Sequence, residues 1–267
     1  MSDVPVLLDV VDGIALITIN RPASRNALNA AVRRLLPRIV AQCEADPEVD
    51  VMILTGADPA FCAGIDLKEL GGGGVADHEL RSSSEDRSGR LPWRGALPPR
   101  TKLLIGAVNG VAVTGGFELA LVCDFLVASE NARFADTHAR VGLMPGWGLT
   151  VLLPQRIGVA RAREMSVTGN FVDAQLAYDW GLVNHVVPHA ELLDFCRSLA
   201  TDCRSIDQAA VRRMLRTYEE VSDTTVAEAW TIEDKASREW QLDGLDRDAI
   251  ESKRAAIMER GRSQTQG

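Results

Sequence analysis

Two residues three apart, Gly115 and Glu118, are the place in this chain where chemistry is easiest to read. They lie in Asn109-Gly110-Val111-Ala112-Val113-Thr114-Gly115-Gly116-Phe117-Glu118-Leu119-Ala120, where an apolar strand runs into a glycine-rich turn and then a helix-compatible run. The first amides of a helix have no intrahelical partner and can serve an anion, and glycine lets a ligand approach the backbone closely. The segment therefore offers an amide (Gly115) to hold developing negative charge and a carboxylate (Glu118) to move a proton. That combination suits chemistry at a thioester or similar carbonyl.

A second segment follows the same logic. Pro59-Ala60-Phe61-Cys62-Ala63-Gly64-Ile65-Asp66-Leu67-Lys68 also places small residues between a strand and a helix. Its expected donor is the amide of Ala63, which would meet that of Gly115 on one carbonyl oxygen. Glycine-rich turns before helices are common, and each segment alone is a weak signal. Their co-occurrence in one chain is far more specific.

The elements that must position these turns can be read from apolar periodicity. Val4–Val11 and Ile14–Asn20 are β-branched runs joined by Asp12-Gly13, a hairpin signature. Asn29 can cap a helix carrying Val32, Leu35, Leu36, Ile39, Val40 and Cys43, with Pro37 predicting a kink or a late start. Strands are expected at Val51–Thr55, Leu103–Val108, Asp124–Ala128 and Val183–Val187. Helices are expected at Ile65–Leu70, Gly148–Ile157, Ala160–Thr168 and Asp173–Trp180, and from His189 onwards. Gly56–Gly64 reads as a loop, and Gly71–Pro99 as a long flap beside the site or a disordered insertion. Strand–helix alternation followed by helices indicates an α/β core, residues 1–200, with a helical region at 201–267 for a lid or for oligomerisation. Apolar stripes at Ala210, Val211, Met214, Leu215, Tyr218 and at Val226, Trp230 are expected to pack on the main body or on a neighbouring subunit.

The 267 residues carry a net charge of −8, which argues against nucleic acid as the main partner. No apolar run approaches the ~20 residues needed to span a bilayer. The acidic start, Met1-Ser2-Asp3-Val4-Pro5, lacks the layout of a signal peptide. Five cysteines without a CxxC pair predict neither a disulfide framework nor a zinc site, and a reducing cytoplasm is expected.

Taken together, several motifs resemble the crotonase superfamily, the enoyl-CoA hydratase/isomerase family. They are Asn20-Arg21-Pro22, Asn26-Ala27-Leu28-Asn29, Ala60 to Leu67 and Asn109 to Ala120, followed by Cys123-Asp124, Phe134, Gly142-Leu143-Met144-Pro145-Gly146, Thr168-Gly169 and Ala177 to Val183. The resemblance covers residues 5 to about 190 closely. It implies a crotonase-like core of repeated ββα units, an acyl-CoA substrate, no metal and no redox cofactor, and a homotrimer or homohexamer. It also implies that the Ala63 and Gly115 amides form the oxyanion hole, that Ala63, Gly64, Ile65 and Asp66 line the path of CoA, and that Glu118 activates water. The implied reaction is syn addition of water to a 2-enoyl-CoA. An isomerase, a thioesterase and a non-catalytic acyl-CoA-binding protein are the alternatives.

Two departures keep those alternatives open. Hydratases of the family place a second glutamate where Phe134-Ala135-Asp136-Thr137-His138 has His138. Imidazole exchanges a proton near neutral pH, so His138 could protonate the α-carbon, serve another reaction, or be a satisfied histidine. Asp136 could orient it, but two residues apart on an extended segment is no firm basis for expecting this. Trp147, where the family commonly has a small residue, could shorten the acyl pocket, stack on the acyl group or simply pack in the core. Arg25, Lys68 and Arg100 are cations within reach of CoA phosphates by type, with plain surface roles as the alternative. His78, His185 and His189 are expected at the surface.

Overall fold

The computed structural model describes residues 4–71 and 95–244 and, beyond them, 251, 254–255 and 257–262. Most of the flap expected at Gly71–Pro99, with His78, lies outside the described residues.

The chain opens with the predicted hairpin, β1 (Val6–Val11) and β2 (Ile14–Ile19). Val11 pairs with Ile14 across a turn in which Asp12 and Gly13 both take positive φ (47° and 69°). That geometry matches the twist of antiparallel strands, and Asp-Gly adopts it at low cost. α1 (Ala30–Ala45) follows, capped by Asn29, whose side chain accepts from Val32 N–H at 3.0 Å. The late start expected from Pro37 is not found: the helix begins at Ala30 and carries Pro37 inside it.

Next come three successive ββα units. The first is β3 (Val51–Gly56), β4 (Ala60–Cys62) and α2 (Leu67–Gly71). The second is β5 (Leu103–Val108), β6 (Val111–Val113) and α3 (Gly115–Leu121). The third is β7 (Phe125–Ser129), β8 (Arg133–Ala135) and α4 (Leu149–Ile157). The longer strands join one six-stranded sheet, β1-β2-β3-β5-β7-β10, and the short ones join a second, β4-β6-β8-β9. β3, β5 and β7 pair in parallel, as do β4, β6 and β8. Every residue of β3 and β5 is buried, as expected for parallel strands covered on both faces. Phe61 of β4, Phe117 of α3 and Phe134 of β8 fill the core between the layers, with the last two rings 5.6 Å apart. The approach of α3 to β4 demands glycine: a Cβ on Gly116 would lie 2.2 Å from Cys62 O.

α5 (Val159–Thr168), β9 (Val172–Asp173), α6 (Ala174–Asp179) and β10 (His185–Val187) complete the second half. α7 (Leu192–Arg204) then packs across β3, β5 and β7.

The chain divides into two compact units, Met1–Ile206 and Asp207–Gly267. The boundary expected at 200 falls inside α7, whose buried Cys196 and Ala200 tie it to the first unit. The second unit contains α8 (Gln208–Ser222) and α9 (Val226–Glu239). Asp207 caps α8, and Thr225 with Glu228 forms a reciprocal capping box on α9. Arg213 and Arg216 both pair with Glu220. Met214, Tyr218, Val226 and Trp230 of the expected apolar stripes are exposed.

Candidate active site

The turns of the first two ββα units converge. Gly64 has φ 86°, and a Cβ on it would lie 2.8 Å from Val113 O and 3.5 Å from Gly115 N. The expected donor in the first turn is nevertheless wrong. Ala63 N–H donates to Arg25 O at 3.0 Å, so its amide is spent within the protein. The available amide is that of Ile65. Leu28 forms a parallel bridge with Ile65 through Leu28 N–H to Gly64 O (2.8 Å) and Asp66 N–H to Leu28 O (3.3 Å). In such a bridge the N–H of Ile65 itself faces away from Leu28. Among the described residues no acceptor meets the amide of Ile65 or that of Gly115, the first residue of α3. The two unspent amides are thus Ile65 and Gly115.

The Asn26-Ala27-Leu28-Asn29 motif is the frame of this turn. Asn26 is fully buried at φ 58° and donates to Ala57 O (2.7 Å) and Ala60 O (2.6 Å) while accepting from Arg21 N–H (2.8 Å). Asp66 pairs with Arg21 at 3.0 Å and accepts from Lys68 N–H at 3.2 Å, so it holds the start of α2. Its carboxylate is therefore part of the frame of this turn.

Glu118 projects from the first turn of α3 and is only 3% exposed. Its Oε1 accepts from Trp147 N–H (2.7 Å) and Leu149 N–H (3.3 Å), which leaves Oε2 for other work. Oε2 lies 3.4 Å from His138 Nε2. On its other side His138 Nδ1 bonds Asp136 Oδ1 at 2.7 Å, and the same oxygen accepts from His138 N–H at 3.1 Å. Asp136 therefore does orient His138. His138 has helical dihedrals (φ −53°, ψ −51°) at the head of a 3-10 turn, Ala139–Val141, and not the extended backbone assumed from the sequence. That bend brings the ring back over the aspartate.

Electrostatics follow from this arrangement. Burial alone would push His138 down, but the bonds and charges of Asp136 and Glu118 outweigh it and push the imidazole up to about 9. Burial of Asp136 likewise opposes its ionisation, yet bonds from His138 and Ser166 hold it below the usual aspartate range. The arrangement thus favours the protonated form of His138 and the ionised form of Asp136.

Trp147 is 9% exposed and belongs to the core cluster. A Cβ on Gly115 would meet Trp147 Cζ3 and Leu28 Cδ1 at 3.4 Å and Ile65 Cγ1 at 3.7 Å. These three side chains wall the space beside the Gly115 amide. The indole contributes at once to the core and to that wall.

Of the candidate phosphate cations, Arg25 and Lys68 are exposed, whereas Arg100 is tied to Asp124 (3.0 Å) and to Val122 O (2.9 Å). His185 packs its ring on Phe195. His189 is not a plain surface residue: it bridges Ser129 Oγ (2.9 Å) and Asp58 Oδ2 (3.2 Å).

The family model for enoyl-CoA hydratase/isomerase matches residues 9–251. A probable peroxisomal enoyl-CoA hydratase 1 of Arabidopsis thaliana is 39% identical over 83% of this chain and 80% of its own length. The 2,3-dehydroadipyl-CoA hydratase of Escherichia coli is 38% identical over 78% and 80%. Among solved structures, an enoyl-CoA hydratase from Mycobacterium smegmatis is 46% identical with a TM-score of 0.73, covering 89% of this chain and 98% of its own. One from Bacillus anthracis is 30% identical with a TM-score of 0.82, covering 96% of each. The chain belongs to the enoyl-CoA hydratase/isomerase family and has the crotonase fold.

Proposed function

We propose that the chain is an enoyl-CoA hydratase-like lyase that adds water across the double bond of a 2-enoyl-CoA. The observation that carries this reading is the buried side-chain pair, Glu118 Oε2 and His138 Nε2 at 3.4 Å, set beside two unspent amides. The relatives named as hydratases support the same class of reaction.

In this reading the thioester oxygen accepts from the Ile65 and Gly115 amides. Each donor is worth about 3 kcal/mol of barrier when charge builds on that oxygen. Glu118 Oε2 takes a proton from water as the water oxygen bonds to the β-carbon. The π electrons move onto the thioester oxygen as an enolate. His138 Nε2 then gives its proton to the α-carbon. Both groups act from one side, so addition is syn. The proton left on Glu118 returns to His138 across their 3.4 Å separation, and the cycle closes. Protons move only between water, substrate and these side chains, so the mechanism needs neither metal nor redox cofactor; CoA enters as part of the substrate.

The same reading places the protein in the cytoplasm as a homotrimer or homohexamer. Among the described residues no helix is long and apolar enough to cross a membrane. The exposed Tyr218, Val226 and Trp230 are the kind of surface a neighbouring copy would cover. Light scattering on the purified chain tests the assembly.

The test of function is a panel of 2-enoyl-CoAs of graded chain length, with loss of the conjugated thioester absorbance as the readout. Saturable loss with a 3-hydroxyacyl-CoA product supports hydration. Free CoA would make the protein a thioesterase, a moved double bond an isomerase, and tight binding without turnover a binding protein.

A further inference from the structure

Thr114 stands immediately before the Gly115 donor and has φ 54°, ψ −121°. A β-branched residue at positive φ is a genuine outlier, and such conformations persist only where the surroundings hold them. Here the surroundings are visible. Thr114 is buried, its N–H donates to Ala135 O at 3.1 Å, and its hydroxyl meets that of Thr137 at 2.6 Å. Thr137 lies between Asp136 and His138, on the segment that carries the acid. The hydroxyl pair thus joins the oxyanion turn of the second ββα unit to the acid-bearing segment of the third.

The dihedral involved has a direct chemical meaning. The Gly115 N–H belongs to the peptide plane between Thr114 and Gly115, and ψ of Thr114 sets the tilt of that plane. Whatever fixes Thr114 fixes where the amide points. A donor displaced by about 1 Å can cost about 10²-fold in rate.

We propose that the Thr114–Thr137 hydroxyl pair is a positioning device that aims the Gly115 N–H at the thioester oxygen and sets its distance from His138. Thr114 and Thr137 are positioning residues acting through Gly115. The inference rests on the reading of Gly115 as an oxyanion donor.

Its test uses the full-length chain with Thr137→Val, which keeps shape and removes the hydroxyl, with Thr114→Gly, which frees the backbone, and with the double variant. The expected result is a kcat about tenfold lower in each single variant. KM and melting temperature should stay near wild type, and the double variant should be no worse than the worse single. Thr137→Ser should restore kcat to within about threefold. A second readout is the thioester carbonyl stretch of bound but-2-enoyl-CoA by Raman difference, taken in a Glu118→Gln background to stop turnover. The carbonyl should shift to lower frequency on binding to Glu118→Gln, and Thr137→Val should remove part of that shift. Unchanged kcat and an unchanged carbonyl shift in Thr137→Val would overturn the proposal, as would losses in the double variant that simply multiply. No shift at all on binding to Glu118→Gln would instead overturn the oxyanion reading of Gly115 beneath it.

Discussion

Two histidines of this chain have nearly the same partner list and entirely different settings. His138 sits between Asp136 and Glu118, and His189 between Asp58 and Ser129. The His189 group even has the members of a nucleophilic triad. Ser129 is fully buried, however, and its hydroxyl also accepts from Asn131 N–H at 3.0 Å, so no substrate carbonyl can reach it. The side chains of His189 and Asp58 are 32% and 62% exposed, and water screens their attraction. The cluster stitches the end of β7 and the approach to α7 onto the β3–β4 turn. The side chains of His138 and both its partners are no more than 4% exposed, and they stand where two main-chain amides are left unspent. A partner list alone does not make an acid or a base; exclusion of water and an adjoining place for the developing charge do.

That contrast can be broken in graded steps. The largest effect is expected from Glu118→Gln, which removes the base: kcat should fall ~10³-fold while acyl-CoA affinity by calorimetry stays largely intact. His138→Gln should cost ~10²-fold or more in kcat, since the acid is lost but the oxyanion amides remain. Asp136→Asn should act through pH. Wild-type turnover should fall as pH rises through about 9, where His138 gives up its proton. Without the aspartate that basic limb should move to lower pH, and an unmoved limb would remove Asp136 from the mechanism.

Stability carries the same signature. The folded pKa of His138 lies above its ordinary 6.5, so its contribution is full below about 6.5 and disappears as pH rises through about 9. The gap in melting temperature between wild type and His138→Gln should therefore narrow across that window. The smallest effect is expected from His189→Gln, with kcat within about twofold of wild type and a melting temperature lower by about 2–4 °C for the ~1 kcal/mol such an exposed cluster can supply.

Much of this was legible in the sequence. The hairpin, the Asn29 cap, the buried parallel strands and the Gly115–Glu118 spacing depend on local rules, and local rules suffice for them. What escaped depended on which hydrogen bonds are already spent. Nothing in the residue type of Ala63 says that its amide is taken by Arg25 O. Ile65 looks like a core residue until its bridge to Leu28 shows which way its N–H faces. The bond of Asp136 to His138 depends on a bend at His138 that no local pattern announces. β4, β6 and β8, at three residues each, are too short to show any periodicity. Thr114 contradicts its own conformational preference, and the bond to Thr137 that holds it there comes from 23 positions along the chain.

The three ββα units have a consequence for how such a protein can diversify. Their sheet ladders are closed by main-chain pairing, while the catalytic equipment hangs on the connections that follow the short strands. Swapping one residue on a connection rewrites a single tool, such as a donor, a base or an acid, and leaves the bolted frame untouched. Replacing the frame glycine Gly116, by contrast, would drive a methyl group into Cys62 O and spoil every tool at once.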